Sequence, residues 1–383
     1  MELYVHFPFC VKKCRYCDFA SYPGLENQMD AYVDALITEA ELRQGDLTEP
    51  LQTVYFGGGT PSLLPPDTMN RCIRELKKRI PFDQVHEWTI EANPGTVSES
   101  WLAVCIENGV NRISIGMQAA QLHILSVLGR IHTVEDVFES VHLARDSGFD
   151  NVSLDLMFGI PGQSIADWIE SINTAISMHP EHLSAYGLIP EENTPLWKDL
   201  CHGKLILPEP EVEREMYEIL LKTLAQNGYE QYEISNFSKP GYVCQHNIGY
   251  WDQTPYLGLG LSAASMINTQ ITPSGMSYYR KTNVSGMQEY LRGIRNRMPA
   301  LSEDVQISPQ EARFETMMLG LRMNQGVSES VFQRRHGISM NACYGPRLQS
   351  LRERGLLIRN GDVWKLTRQG MDLQNMVLVE LMD

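Results

Sequence analysis

What this 383-residue sequence lacks narrows its class before any motif is read. It has no apolar run approaching the roughly 18 to 20 residues that a spanning helix needs, so any membrane contact is expected to be peripheral. No charged segment followed by an apolar one precedes the first cysteine, as a secretory leader would require, and the expectation is a soluble, cytoplasmic protein. Positive charge is in short supply: 32 Lys and Arg face 47 Asp and Glu, a formal net charge of -15. No basic cluster stands out, so nucleic acid is not an expected partner, because phosphate backbones are held by basic groups that release counterions. Cysteine is scarce as well. Five of the eight (Cys72, Cys105, Cys201, Cys244 and Cys343) are scattered, which makes no disulfide framework, and a reducing compartment keeps them as thiols.

What is there is a chain 43% hydrophobic, long enough to bury a large core. From residue 3 to about 190, short apolar runs alternate with amphipathic segments, the pattern of parallel strands joined by helical crossovers. Six strands are expected: "LYVHF" (3–7), "TVYFGG" (53–58), "EWTIEA" (87–92), "RISIGM" (112–117), "NVSLDLMF" (151–158) and "HLSAYGL" (182–188), each rich in β-branched or aromatic residues. In "TVEDVFESVHLARDSG", Val137, Val141 and Ala144 recur at helical spacing, Thr133 can cap the start and Gly148 can end it. Right-handed crossovers repeated in this way bend a sheet toward a barrel, and six units make a partial one. The expected fold class is therefore α/β, a partial (β/α)6 TIM-like barrel over residues 1–235. A connecting region over 236–300 and a smaller C-terminal α+β domain over 301–383 follow. The last of these resembles a winged helix, with a hairpin around "RNGD".

The chemistry-bearing residues sit at strand ends. Cys10, Cys14 and Cys17 are spaced C-x3-C-x2-C directly after the first strand. Thiolates are soft anionic ligands, and three on a tight loop can grip three irons of a [4Fe-4S] cube, leaving the fourth iron open. A structural zinc site is the alternative and needs a fourth ligand, for which His6 is the candidate. The second strand runs into "GGGTPS", where glycine lets the backbone approach a ligand closely.

C-x3-C-x2-C with the aromatic Tyr16 before its last cysteine resembles the signature of radical S-adenosylmethionine enzymes, and "GGGTPS" is similar to the wording of the oxygen-independent coproporphyrinogen III oxidase branch. In that superfamily the open iron binds the amino and carboxylate groups of S-adenosylmethionine, and an electron from the cluster cleaves the sulfonium to a 5′-deoxyadenosyl radical. Carried over by motif, the resemblance implies S-adenosylmethionine contacts from Tyr4, Gly58, Gly59, Thr60, Glu91, Gln118, Arg130 and Asp155, with a further backbone contact at Gly187. A carboxylate can accept from ribose hydroxyls or an amino group, and arginine can hold a carboxylate through its planar fork.

Two departures separate branches within that family. The decarboxylating dehydrogenases carry a fourth cysteine two positions after the third, where this chain has Phe19, and they use an N-terminal segment before the first strand. The chain instead resembles the HemW-type haem chaperones. "QHNIGYW" (245–251) holds H-N-x-x-Y-W, similar to the haem-binding motif of that branch: His246 or Cys244 as iron ligand, Asn247 for a propionate or the imidazole, and Tyr250 and Trp251 as faces for the porphyrin. The resemblance implies a chaperone that binds a [4Fe-4S] cluster and S-adenosylmethionine. It would take up haem as cargo and pass it to acceptor haemoproteins such as membrane-associated respiratory enzymes, acting as a homodimer at the inner membrane face without dehydrogenase activity. The alternatives are an anaerobic coproporphyrinogen III dehydrogenase and a zinc-stabilised interaction protein.

Overall fold

The structure is a computed structural model describing residues 1–382. All six expected strands form: β1 (Glu2–Phe7), β2 (Thr53–Gly58), β3 (Glu87–Ala92), β4 (Arg112–Gln118), β5 (Val152–Phe158) and β6 (His182–Gly187). They pair in parallel and in sequence order, with registers such as Tyr4 opposite Tyr55 and Asp155 opposite Ser184. The crossovers are α1 (Met29–Leu42), α2 (Pro66–Arg79), α3 (Glu99–Glu107), the pair α4 (Leu122–Leu128) and α5 (Val134–Asp146), and α6 (Ile165–Ser177); α7 (Pro195–Cys201) and α8 (Pro210–Gln226) follow β6. The helix starts obey their sequence signals. Thr133 and Asp136 form a reciprocal capping box on α5, and Ser164 and Asp167 repeat it on α6, each cap worth about 1 kcal/mol.

Alternation along the strands separates two environments. Leu3, Val5, Val54, Phe56, Ile113, Ile115, Leu154 and Leu156 have no solvent exposure and join the core shared with the helices. The residues between them are polar or small, and many line a cavity inside the barrel. In α8, Met216, Leu220 and Leu224 are the buried face, and the Met216 carbonyl accepts the indole N–H of the buried Trp168 at 2.8 Å.

The sheet extends past the six strands on both sides. β7 (Glu230–Gln231) and β8 (Asn236–Ser238) lie antiparallel beyond β6, and β9 (Tyr256–Leu259) pairs in parallel with β1. Then β10 (Ala264–Thr272), β11 (Gly275–Asn283) and β12 (Leu301–Ile307) continue it antiparallel, giving twelve strands in the order β12-β11-β10-β9-β1-β2-β3-β4-β5-β6-β8-β7. The region expected from sequence to connect two domains thus supplies strands to the same sheet, and that sheet runs through Ile307. Between β8 and β9 lies the short α9 (Gln245–Trp251), and α10 (Met287–Arg295) precedes β12.

A second core, around Met317, Leu321, Phe332, Tyr344, Leu348 and Trp364, gathers α11 (Pro309–Gly320), α12 (Glu329–His336) and α13 (Met340–Glu353). It includes a three-stranded sheet whose hairpin, Leu357–Asn360 with Val363–Leu366, turns at Gly361 with φ +60°. Among the described residues no helix is long and apolar enough to cross a membrane.

Candidate functional site

The thiol loop leaves the carboxyl end of β1 and is fixed at both ends. Phe9–Cys10 pairs with Tyr22–Pro23, and the ring of His6 ties the middle of the loop to the barrel. His6 Nε2 donates to the Ala20 carbonyl at 2.9 Å, so its Nδ1 is the acceptor for the Tyr4 hydroxyl, also at 2.9 Å. Burial lowers His6 to about 4, only partly offset by the bond to Ala20, and the ring is neutral. With both nitrogens engaged, His6 is not placed as a fourth zinc ligand.

The three cysteines are free thiols lining one cavity of about 350 Å³ with Gly58 and Gly59. Thr60 Oγ1 lies 3.7 Å from Cys10 Sγ, Arg130 Nη1 lies 3.4 Å from Cys14 Sγ, and Ser21 Oγ lies 3.8 Å from Cys17 Sγ. Among the described residues no three His, Cys, Asp or Glu side chains are gathered to hold one metal ion. Three thiols on one loop suit three irons of a cluster, whereas a tetrahedral zinc site needs a fourth protein ligand and His6 is not placed as one. The glycine turn has its own constraint. Gly58 sits at φ +109°, and a Cβ there would fall 2.4 Å from the His6 ring. Gly58→Ala is therefore expected to cost about 2 kcal/mol or more, read as a lowered urea midpoint; an unchanged midpoint would show the turn to be adaptable.

Inward positions of four strands build the cavity wall below the thiols. β4 contributes Arg112, Ser114, Gly116 and Gln118, every second residue, while β3 gives Glu91, β5 gives Asp155 and Met157, and β6 gives Ser184 and Tyr186. Glu91 accepts from the Tyr55 hydroxyl at 2.8 Å and from the Gly58 N–H at 3.0 Å. Burial nonetheless raises it to about 7. Asp155 is also raised by burial and accepts from Ser114 Oγ at 3.1 Å. Arg130 donates to the Asn93 side chain at 2.9 Å and to the Gly116 carbonyl at 2.7 Å, and its buried Nε has no partner. Gln118 adopts φ +64° where the pairing of β4 with β5 slips, an irregularity that re-aims the strand end at the cavity mouth.

Not every residue singled out from sequence reaches this wall. Thr60 stands behind Cys10. Tyr4 lines an adjoining cavity that shares Phe19, Gly58 and Glu91. Gly187 ends β6 facing Glu213 and Phe158, away from the cavity. Of the H-N-x-x-Y-W residues only Asn247 lines the central cavity. His246 is fully buried in α9, its Nδ1 2.7 Å from Thr53 Oγ1 and its Nε2 3.0 Å from the Tyr250 hydroxyl. Burial, aided by the charge of Arg112, lowers it to about 3, so it is a neutral ring stacked on Tyr55. Cys244 is also wholly buried, and burial pushes its thiol up to about 12. Tyr250 and Trp251 open instead onto a groove between β9–β11 and α11. Sequence reasoning missed Tyr55, Arg112, Ser114, Ser184 and Tyr186, whose signal was polar alternation within the barrel strands, and Asn93, which follows directly on the end of β3.

An incomplete parallel barrel carrying three thiols and a glycine turn at its carboxyl rim defines the radical S-adenosylmethionine class. The family described as "Radical SAM superfamily" matches residues 4–175, and "HemN C-terminal domain" matches 307–373. The chain is 37% identical to "Heme chaperone HemW" of Bacillus subtilis over 98% of its own length and 97% of the relative's. It is 33% identical to the protein of the same name from Lactococcus lactis over 98% and 95%. The solved structure of coproporphyrinogen III oxidase HemN from Escherichia coli superposes with a TM-score of 0.85 at 21% identity, covering 100% of this chain and 89% of that one, which shows the shared fold. The chain belongs to the HemW family of this superfamily.

Proposed function

We propose that this protein is a haem chaperone that carries a [4Fe-4S] cluster and S-adenosylmethionine, binds haem and hands it to acceptor haemoproteins. The observation that carries the reading is end-to-end likeness to proteins named as haem chaperones. Phe19 supports it. At 60% exposure on the rim of the cavity, it puts a phenyl ring where the dehydrogenase branch has a thiol. Membrane-associated respiratory enzymes remain the acceptor class that family membership suggests, and homodimerisation belongs to the same proposal.

Cys10, Cys14 and Cys17 would hold the cluster, and when bound it supplies an open iron for the amino and carboxylate groups of S-adenosylmethionine. The chain's own residues orient that ligand. Glu91, poised near neutrality by burial, accepts from an amino or ribose group, and Asp155 offers a second acceptor on the facing strand. Arg130 has one unpartnered N–H and holds Cys14 in place through another. Gly58, Gly59 and Thr60 allow close approach beside Cys10, Gln118 closes the mouth, and Tyr4 approaches from the adjoining cavity, whereas Gly187, turned toward Glu213 and Phe158, adds no contact to this set.

Haem uptake falls to α9. His246 is buried one side chain behind the groove that Tyr250 and Trp251 line, and ligating the haem iron through its Nε2 would require the Tyr250 hydroxyl to turn away and open the ring to the groove. Haemin titrated into the wild type is expected to give a saturable Soret change, and mixing with an apo-haemoprotein should move that band to the acceptor. His246→Ala is expected to shift the Soret maximum and weaken haemin binding about tenfold or more. Identical spectra and affinities would remove His246 as the ligand. Decarboxylation of coproporphyrinogen III under anaerobic reducing conditions would overturn the chaperone reading in favour of the dehydrogenase.

A further inference from the structure

The groove beside α9 shares no lining residue with the barrel cavity, and of the residues assigned to S-adenosylmethionine only Tyr4 reaches it. It encloses about 500 Å³, within the range of sites that take a flat cofactor. One wall is the outer sheet, with Tyr256 on β9, Met266 on β10, and Tyr278 and Arg280 on β11; the other is α11, with Met318 and Leu319. Tyr250 and Trp251 form the end wall, with Tyr250 packed edge-on against Tyr256 at 4.7 Å between ring centres. Aromatic rings and thioethers of this kind offer flat, polarisable contact for a conjugated ring system.

The polar atoms of the groove are not all satisfied. Gln253 is 5% exposed, and although its Oε1 accepts from Thr316, its Nε2 is buried without a partner. Trp251 Nε1 is likewise buried and unpaired, although Arg322 covers the ring face. Both side chains line the groove, and both orphaned groups are donors. A buried donor without an acceptor costs about 1 to 3 kcal/mol, a penalty that a ligand bearing acceptor oxygens relieves. Beside them Arg280 places one guanidinium nitrogen 2.9 Å from both carboxylate oxygens of Glu315.

We propose that this groove between the outer sheet and α11 is the cargo site, holding the porphyrin plane against Tyr256, Tyr278 and Met318 with its carboxylates toward Gln253, Trp251 and Arg280. The inference rests on the haem-chaperone reading and adds where the ring lies. It also assigns the C-terminal region a job, since α11 supplies one side of the slot and rigidly couples cargo to the second core.

The test separates ring recognition from iron ligation by using metal-free protoporphyrin IX beside haemin on the cluster-loaded protein. Protoporphyrin IX is expected to bind the wild type and His246→Ala alike. Met318→Trp, which fills the slot from a half-buried position, is expected to weaken both ligands at least about tenfold. Protoporphyrin IX dimethyl ester, which needs no altered protein, is expected to bind the wild type at least about tenfold more weakly than the free acid. If Met318→Trp binds haemin as the wild type does, or the ester matches the acid, the groove assignment is overturned while the chaperone reading stands. If the wild type binds neither ligand, the chaperone reading itself fails.

Discussion

Replacing Cys14 with serine is expected to abolish cluster assembly and leave the barrel folded. A hydroxyl is a hard, weakly acidic donor that cannot replace a thiolate on iron, and a cube gripped at three corners has no spare protein ligand on this loop. The loop does not depend on the cluster for its position. It is pinned by the His6 bond to Ala20, by the Tyr22 N–H to the Pro8 carbonyl at 2.7 Å, and by Arg15, whose N–H reaches Leu128 O at 2.9 Å while its carbonyl accepts from Leu196 N at 2.9 Å. Arg130 loses its contact to sulfur but keeps Asn93 and Gly116. Anaerobic reconstitution should therefore give about four irons and four sulfides per chain in the wild type and almost none in Cys14→Ser, with far-UV circular dichroism and urea midpoint unchanged. A wild type that takes up zinc without sulfide, or a serine variant that retains a full cluster, would sink the assignment.

The barrel was legible because its two signals are local. Strands buried on both faces read as apolar runs, and their helices carry caps within the same few residues, as at Thr133 and Ser164. The outer sheet was not legible. β10 and β11 carry Asn268, Thr269, Gln270, Arg280 and Lys281, so they lack the apolar density of the barrel strands. They pair locally with each other and with β9, and what ties them to the barrel is β9 docking in parallel on β1, with Glu2 opposite Tyr256 about 250 positions away. Periodicity reports what a strand packs against, not which strand it pairs with, and the region was taken as a connection for that reason.

The site divides in the same way. The rim residues stood out because cysteines and glycines are rare and closely spaced. The wall below them was hidden in plain alternation: Arg112, Ser114 and Gly116 alternate with Ile113 and Ile115, and only the closed curvature of the sheet tells which set faces inward. H-N-x-x-Y-W was visible as a motif, but its division of labour was not. Helical spacing sends Asn247 to the central cavity, Tyr250 and Trp251 to the groove, and His246 into the floor of the barrel. Gly249 shows why the motif holds this place, since a Cβ there would fall 1.9 Å from a Glu2 carboxylate oxygen.

That floor is where a single substitution is expected to have the largest effect on stability. Glu87 begins β3 at 6% exposure, and its carboxylate accepts the first backbone N–H groups of α9, from Gln245 at 2.8 Å and His246 at 2.9 Å. Cys244, at the N-cap, supplies no side-chain cap of its own, so Glu87 does that work from another element. The same carboxylate adds to the field around Arg112, which is 2% exposed, makes a long contact to Thr89 at 3.4 Å and keeps an unpartnered Nε. Burial pushes Arg112 down, but the groups around it, Cys244 first and Glu87 next, hold its pKa above the ordinary value. Glu87→Ala removes one of the anions around that cation and leaves two N–H groups at the start of α9 without an acceptor, an expected loss of about 2 to 4 kcal/mol in urea unfolding. Arg112→Met in the same background should recover only part of the loss, because the double variant no longer buries that cation but still lacks the cap of α9, and the two effects will not be additive. If Glu87→Ala costs under about 1 kcal/mol, or the double variant is merely the sum of the singles, the pair is not what seats α9. Haem binding should fall with the single variant and stay low in the double, which equally lacks the carboxylate that caps α9.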